Sequence, residues 1–549
     1  MTDAEQPTPD VGPTPEEDVV PENVVPEETV PAEAVAPDET VPEEETADTT
    51  SAPRGRGRAR AATIISLRIV RGLVGAAAAV VVVGGVGLVP LPTIGIEPLA
   101  TTVTPEPAEP LRLCAGSLLR LGDDTGANAG QASAVGTPRL TVAAEGGTAS
   151  QAPLAGSDAG TGGTPQAPTL LSAPADATAL AGAQAQTATG AGDLEGLAVS
   201  ACTEPSSSQW LVGGSMTVGR TTMLLIANPT AVTAEVTLRI WGESGPVSAP
   251  GMSGIRVAPG TQRVLPLTGF APGLASPVVH VEARGGQVVA ALQTSVIRVL
   301  DPGGVDTVSA GVAPSRTSVV PAVRIADEEG VSSVLGIADY ADLEAVARIG
   351  NPGETDASVE LSLLPADEGG TASSFQLTVP AGTTTDVPLS SALELGEAPI
   401  PDGSYSVVFS SDQPVVTAVR ASTTPVADVD ADGTPEPGDA DLAWFAAAPV
   451  LGDGAAVAVA DAPSPVLVAY NPDNAERTLT LTPIGGGESL TLVVPPARPA
   501  SIALDRDTVY LLDGAVGLRA GVTFAASGRV GGYTVTSPRE GDSPLVVRP

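Results

Sequence analysis

One hydrophobic pattern recurs three times along the chain at long intervals. Apolar strands at 223–229, 345–352 and 466–472 each close on Asn-Pro, with Asn228, Asn351 and Asn471 spaced 123 and 120 residues apart. An alternating strand follows each. Val236, Leu238 and Ile240 share one side while Glu235, Thr237 and Arg239 share the other; Val359, Leu361 and Leu363 repeat this, as do Leu479 and Leu481. Period-two alternation predicts half-buried antiparallel strands. A second landmark comes 23–29 residues after each Asn: Val257-Ala258-Pro259-Gly260, Val379-Pro380-Ala381-Gly382 and Val494-Pro495-Pro496-Ala497. The copies then predict a closing hairpin, 278–281 with 288–292 through Gly285-Gly286, and 405–409 with 415–419 through Asp412-Gln413-Pro414. The third copy is looser, at 522–524 and 532–535.

About seven short strands in roughly 100 residues suit an immunoglobulin-like sandwich. Propellers need four or more blades of about 40 residues, so tandem sandwiches are favoured over a three-bladed ring. Asn-Pro reads as turn chemistry, because Pro fixes φ and Asn caps the turn.

Ahead of the repeats the pattern changes twice. Residues 1–50 hold 16 Asp or Glu, no basic residue and recurrent Val-Pro-Glu elements. Proline forbids a continuous helix, like charges extend the chain, and too little apolar surface offsets the ordering entropy. A disordered tail is expected. Arg54, Arg56, Arg58, Arg60, Arg68 and Arg71 follow, then an uncharged run from Gly72 to Ile96. A helix over 67–89 would rise about 34 Å, enough for a ~30 Å hydrocarbon layer. Pro90 and Pro92 end it. Arginines before the span, with none after it until Arg112, place the N-terminus in the cytoplasm and the rest outside. A cleaved signal peptide is the competing reading; a 50-residue acidic leader and a Pro-rich exit without a small-residue cleavage site argue against it.

The expected architecture is mainly β: three tandem immunoglobulin-like β-sandwich repeats after a single transmembrane helix and a disordered tail. The divisions are an acidic cytoplasmic tail (1–60), the span (67–89), a stalk and low-complexity segment (92–205), repeats at 206–300, 318–423 and 442–537, an acidic linker (424–441) and a C-terminal tail (538–549). Residues 104–110 read as a stiff proline-rich spacer, and 123–190, rich in Ala, Gly, Thr, Ser and Gln, as a flexible excursion.

The two cysteines, Cys114 and Cys202, bracket that excursion. No CxxC spacing exists, and two Cys do not make a metal site. On the outer side of a membrane they read as a disulfide, with two free buried thiols as the alternative. A bridge closing 88 residues is worth about 4–5 kcal/mol in the chain-entropy model. The formal charge of −38 excludes nucleic acid as a partner, since phosphate binding needs a positive surface. Aromatics at 2% imply cores of Val, Leu, Ile and Ala.

The sharpest chemical motif is Asp428-Val429-Asp430-Ala431-Asp432-Gly433 with Glu436 and Asp439. Acids at positions 1, 3, 5, 9 and 12 and Gly at 6 match a calcium loop, offering Ca²⁺ as the one candidate cofactor. Asp at position 12 in place of Glu, Pro435 and Pro437 depart from the pattern, and a solvated acidic linker is the alternative. His280, the only histidine, sits in an alternating strand without a nucleophile nearby in sequence. Trp210 and Trp444, preceding repeats one and three, read as packing at the start of a domain.

The anchor, the segment 113–120 (Leu-Cys-Ala-Gly-Ser-Leu-Leu-Arg), Cys202 before Ser208-Gln209-Trp210, and the Asn-Pro repeats resemble an uncharacterised family of membrane-anchored envelope proteins of high-GC bacteria, carrying only a domain-of-unknown-function label. The resemblance covers roughly 60–540 and implies an envelope location without supplying catalytic residues. The expectation is a non-enzymatic structural or interaction protein with a protein or glycan partner in the envelope. An adhesin or glycan-binding module and an envelope hydrolase are the alternatives; the first is disfavoured by scarce Trp and Tyr, the second by the lack of a singled-out acid pair.

Overall fold

The computed structural model describes residues 101–103, 109–122, 131–159, 167–190, 193–298, 300–367, 371–392, 400–426, 428–429, 435–538 and 545–547. The predicted tail (1–60) and span (67–89) lie outside these. Among the described residues no helix is long and apolar enough to cross a membrane.

After β1 (Thr101–Val103), the strands fall into four modules. Module 1 holds β2 (Leu111–Cys114), β3 (Leu118–Leu121), β4 (Ala132–Val135), β5 (Arg139–Glu145), β6 (Ser150–Pro153), β7 (Gly156–Ser157), β8 (Thr169–Ser172), β9 (Ala179–Thr189) and β10 (Glu195–Ala201). Module 2 holds β11 (Ser208–Val212), β12 (Arg220–Asn228), β13 (Ala234–Gly242), β14 (Gly245–Val247), β15 (Ile255–Val257), β16 (Thr261–Pro266), β17 (Val278–Gly285), β18 (Val289–Arg298) and β19 (Asp301–Ser309). Module 3 holds β20 (Ser315–Ile325), β21 (Val346–Gly350), β22 (Ala357–Pro365), β23 (Ser373–Val379), β24 (Thr384–Pro388), β25 (Gly403–Thr423), a small ladder of β26 (Asp428–Val429) with β27 (Pro435–Glu436), and β28 (Asp441–Ala446). Module 4 holds β29 (Ala456–Val459), β30 (Val466–Tyr470), β31 (Arg477–Pro483), β32 (Leu490–Val494), β33 (Pro499–Ala503), β34 (Thr508–Asp513), β35 (Arg519–Ala526) and β36 (Arg529–Thr534). Finally β37 (Leu545–Val547) pairs back on β1, so the two ends of the described chain meet.

Every module is a pair of antiparallel sheets with the same order. In module 4 these are β29-β34-β31-β32 and β36-β35-β30-β33. Module 2 gives β11-β17-β13-β14 and β19-β18-β12-β16, the latter extended by β7 of module 1 pairing in parallel with β16, and module 3 repeats the scheme with β25 serving both sheets. Module 1 keeps β2-β8-β6 and β10-β9-β5, shows no counterpart of the fourth and fifth strands in these sheets among the described residues, and carries β3–β4 as an insertion. An immunoglobulin sandwich groups strands differently. Sandwich layering is as expected, the strand order is not, and four copies stand among the described residues.

The extra copy is the supposed flexible stalk. Its Ala- and Gly-rich strands escape a pattern search because small side chains give weak alternation, yet Ala179, Ala181, Ala183 and Ala185 are buried in one core with module 4. The predicted closing hairpins are also corrected. Strands β17 and β18 never pair: β17 lies between β11 and β13, and β18 between β12 and β19. In module 3 the supposed turn at Asp412-Gln413-Pro414 is the middle of the continuous strand β25, which passes from one sheet to the other. Central strands bury both faces, so their near-continuous apolar runs gain more between two sheets than in a two-stranded ribbon. Only in module 4 are the two segments neighbours, Val522 facing Tyr533.

Boundaries shift accordingly. Strand β19 extends module 2 past residue 300, and β28 returns the chain to module 3 after the acidic segment, so the described residues of 424–441 lie between two strands of one module.

The alternating strands behave as expected: Val236, Leu238, Ile240, Val359, Leu361, Leu363, Leu479 and Leu481 are all buried. The Asn-Pro reading also acquires a mechanism. Fully buried Asn228 donates from Nδ2 to Val232 O (2.8 Å) and Val257 O (3.0 Å), and its Oδ1 accepts from Thr230 N (2.9 Å). Asn351 makes the same set with Thr355, Val379 and Gly353, and Asn471 with Ala475, Val494 and Asp473. One side chain thus closes its own turn and pins the second landmark. An apolar residue there would strand the buried landmark carbonyl and leave two part-buried turn groups to solvent.

Candidate functional site

The modules join through their last strands. Strand β10 packs on β19, β19 on β28, β28 on β36, and β36 back on β10. At the centre lies Asp441, fully buried, which accepts one N–H from each of the four. These are Leu197 (2.8 Å) and Val530 (3.2 Å) to Oδ2, and its neighbour Leu442 (2.9 Å) and Val305 (3.4 Å) to Oδ1. Gly196, at φ +134°, permits this approach, since a Cβ there would fall 2.3 Å from Asp441 Oδ1. Asp306, eight residues before Pro314 as Asp441 is before Pro449, accepts from Thr307 N (2.8 Å) and Trp444 N (2.7 Å). Burial pushes both carboxyls upward, Asp306 to about 7, and the backbone N–H donors oppose the rise.

Modules 2 and 3 are clamped by Arg348, on β21. Its guanidinium spends five N–H groups: two on Asp386 (2.7 and 2.8 Å) and three on the carbonyls of Gly214, Ala275 and Pro277 in module 2. It also lies 4.4 Å over the Trp444 ring. Burial alone would raise the Asp386 carboxyl; the Arg348 charge and hydrogen bonds outweigh it and hold the carboxyl below its usual range. Nearby, Asp342 pairs with Arg220 (2.6 Å) and Arg298 (2.9 Å). Trp444 is therefore packing, as expected, but between modules 2 and 3 in place of the start of repeat three.

The outer face of module 2 gathers aromatic side chains. Cross-strand register aligns Trp210, His280 and Arg239 in one row. The Trp210 ring stacks on His280 at 4.3 Å and on Trp241 at 5.3 Å. Because the rings stack on one another, they do not form a row of separate sugar-binding platforms. His280 Nε2 lies 2.8 Å from Ser208 Oγ, a neighbour 72 residues away that local sequence did not reveal. Its Nδ1 is buried without a hydrogen-bond partner. A bare acceptor is the cheaper orphan, so the neutral ring carries its proton on Nε2 and donates to Ser208. That is the reverse of the wiring a serine nucleophile needs. Burial first, then Arg239, lowers the His280 pKa, in keeping with a neutral ring.

Of the calcium motif, Asp428 and Glu436 face each other in the β26–β27 ladder, and Asp430 and Asp432 lie outside the described residues. Asp439 approaches Arg529 at 3.6 Å, which also binds Glu195 at 2.8 Å. Among the described residues no three His, Cys, Asp or Glu converge as a metal site.

Cys114 and Cys202 form a disulfide, with Cα atoms 4.2 Å apart and both residues fully buried. It ties the first strand of module 1 to the end of its last. Gly182 makes room, because a Cβ there would meet Leu171 at 2.4 Å and Cys202 Sγ at 3.0 Å. The signals missed in sequence were Arg348 inside the apolar strand Val346–Gly350, and the shared Asp-to-Ala-Pro spacing of Asp306 and Asp441.

These features define a multi-module β-sandwich protein held together by buried polar ties. The chain belongs to the family of unknown function DUF5719, which matches residues 130–495 and so touches all four modules. No curated protein matches the chain. Among solved structures, Thermotoga maritima 1070 is similar over 25% of this chain and 95% of its own, at 18% identity and a TM-score of 0.18. The Anabaena sensory rhodopsin transducer is similar over 20% and 95%, at 24% identity and a TM-score of 0.14.

Proposed function

We propose that this chain is a structural or interaction protein of the bacterial cell envelope, tethered by residues 67–89 with its β modules outside the membrane. The buried Cys114–Cys202 disulfide carries the reading, because such bridges form and persist in oxidising compartments. The Arg-flanked apolar run supplies the tether and its orientation. The polar ties between modules suit a body that holds surfaces in fixed relation, as a scaffold or accessory of envelope-building machinery does. Protease added outside sealed cells should digest the modules while the tail survives; survival of membrane-bound modules would refute the topology. Crosslinking in intact membranes should then recover one stoichiometric envelope protein, and recovery of polysaccharide alone would favour a glycan-binding role.

A further inference from the structure

The junction between modules 4 and 1, where the cycle of modules closes, contains an open cleft. Its volume is about 410 Å³, within the roughly 300–1,000 Å³ typical of small-molecule sites, which often lie between domains. Arg139 and Thr137 line it from module 1, together with Gln186 and Thr187 of β9; Asp461 and Arg506 line it from module 4.

Both guanidinium groups address the same carboxylate. Arg139 Nη1 lies 2.6 Å from Asp461 Oδ2, and Arg506 Nε lies 3.7 Å from Asp461 Oδ1. Each therefore commits one edge and keeps other N–H groups without a partner among the described residues. Both arginines are mostly exposed, at 77% and 67%, whereas Asp461 is 21% exposed. The cleft presents two cations against one anion in a chain whose formal charge is −38. The position is fixed by neighbours: Thr141 Oγ1 donates to Asp507 across the same junction (2.8 Å), and Gln186 Oε1 accepts from Leu118 N (3.1 Å).

We propose that this cleft binds a carboxylate-bearing sugar of the uronic-acid type. Guanidinium forks match a planar carboxylate. Asp461 disfavours a dianionic phosphate beside it yet accepts hydroxyl donors, while the exposed Thr137 and Thr187 hydroxyls can each donate to or accept from the hydroxyls of a sugar ring. The site stands independently of the membrane topology proposed above, since it concerns only the folded modules.

The test is calorimetry on the full chain in detergent micelles, titrated at constant ionic strength with sodium glucuronate, glucose and inorganic phosphate. Glucuronate is expected to bind at least tenfold more tightly than glucose or phosphate. The double variant Arg139→Gln/Arg506→Gln should weaken glucuronate at least tenfold with an unchanged thermal midpoint. Should that variant misfold, Arg506→Gln alone, at an exposed turn, should still weaken it several-fold. Thr141→Val, which breaks a cross-link of this junction outside the cleft, should leave binding intact. Glucuronate no tighter than glucose, phosphate tighter than glucuronate, or arginine variants that bind like the parent would each overturn the proposal.

Discussion

The contact of module 1 with module 2 and that of module 2 with module 3 solve one problem in opposite ways. Three places before the buried Asn, module 2 carries Leu225 and module 3 carries Arg348, and each side chain points at the preceding module. Leu225 packs with Leu119, Ala132 and Ala134, the β3–β4 insertion of module 1. Arg348 meets three carbonyls, Asp386 and the face of Trp444. A fully buried cation is tolerable only because every N–H it carries has an acceptor. The lesson is that one backbone position accepts a leucine or an arginine, depending on whether its neighbour supplies methyl groups or oxygen atoms.

Exchanging the two solutions should break the molecule most severely. Leu225→Arg places an unpaired charge among methyl groups and should cost more than about 4 kcal/mol, read by urea unfolding. Arg348→Leu should cost about 3–5 kcal/mol, because it strands Asp386 and three carbonyls. Adding Asp386→Ala should recover part of that loss; no recovery in the double variant would show that the carbonyls, and not the carboxylate, carry the penalty. Leu225→Ala should cost about 2–4 kcal/mol through the cavity it leaves.

Acid should separate the two contacts further. The folded Asp386 carboxyl is depressed, so its stabilisation is present above the unfolded carboxyl pKa and is lost as pH falls through the folded value. The parent protein should lose stability there, and Arg348→Leu/Asp386→Ala should lose less. Asp306 acts with the opposite sign. Raised to about 7, it contributes most below its unfolded pKa, and that contribution fades as pH rises toward 7. Asp306→Asn should flatten this dependence, at a cost of about 1–3 kcal/mol because an amide NH₂ then faces a backbone N–H. Unfolding midpoints collected from about pH 2 to pH 8 would check both.

Strand alternation at Val236, Val359 and Leu479 was legible because period two is a local property of a half-buried strand. The three Asn-Pro marks were legible as turns, although their long-range acceptors at Val257, Val379 and Val494 were not. Module 1 hid behind alanine and glycine, which show little contrast between faces. Ser208 and His280 were invisible as a pair because only strand pairing brings them together.

The sequence by itself determined where the strands of three repeats run, which of their faces are apolar, and that the two cysteines lie outside those three. These follow from side chains and their nearest neighbours along the chain. Tertiary structure alone decided that consecutive strands such as β17 and β18 part into different sheets, that a fourth sandwich completes the set, and that Asp441 gathers four strands. Those outcomes depend on which residues, hundreds of positions apart, can satisfy a buried oxygen or fill a gap, a matter of three-dimensional packing that no local pattern encodes.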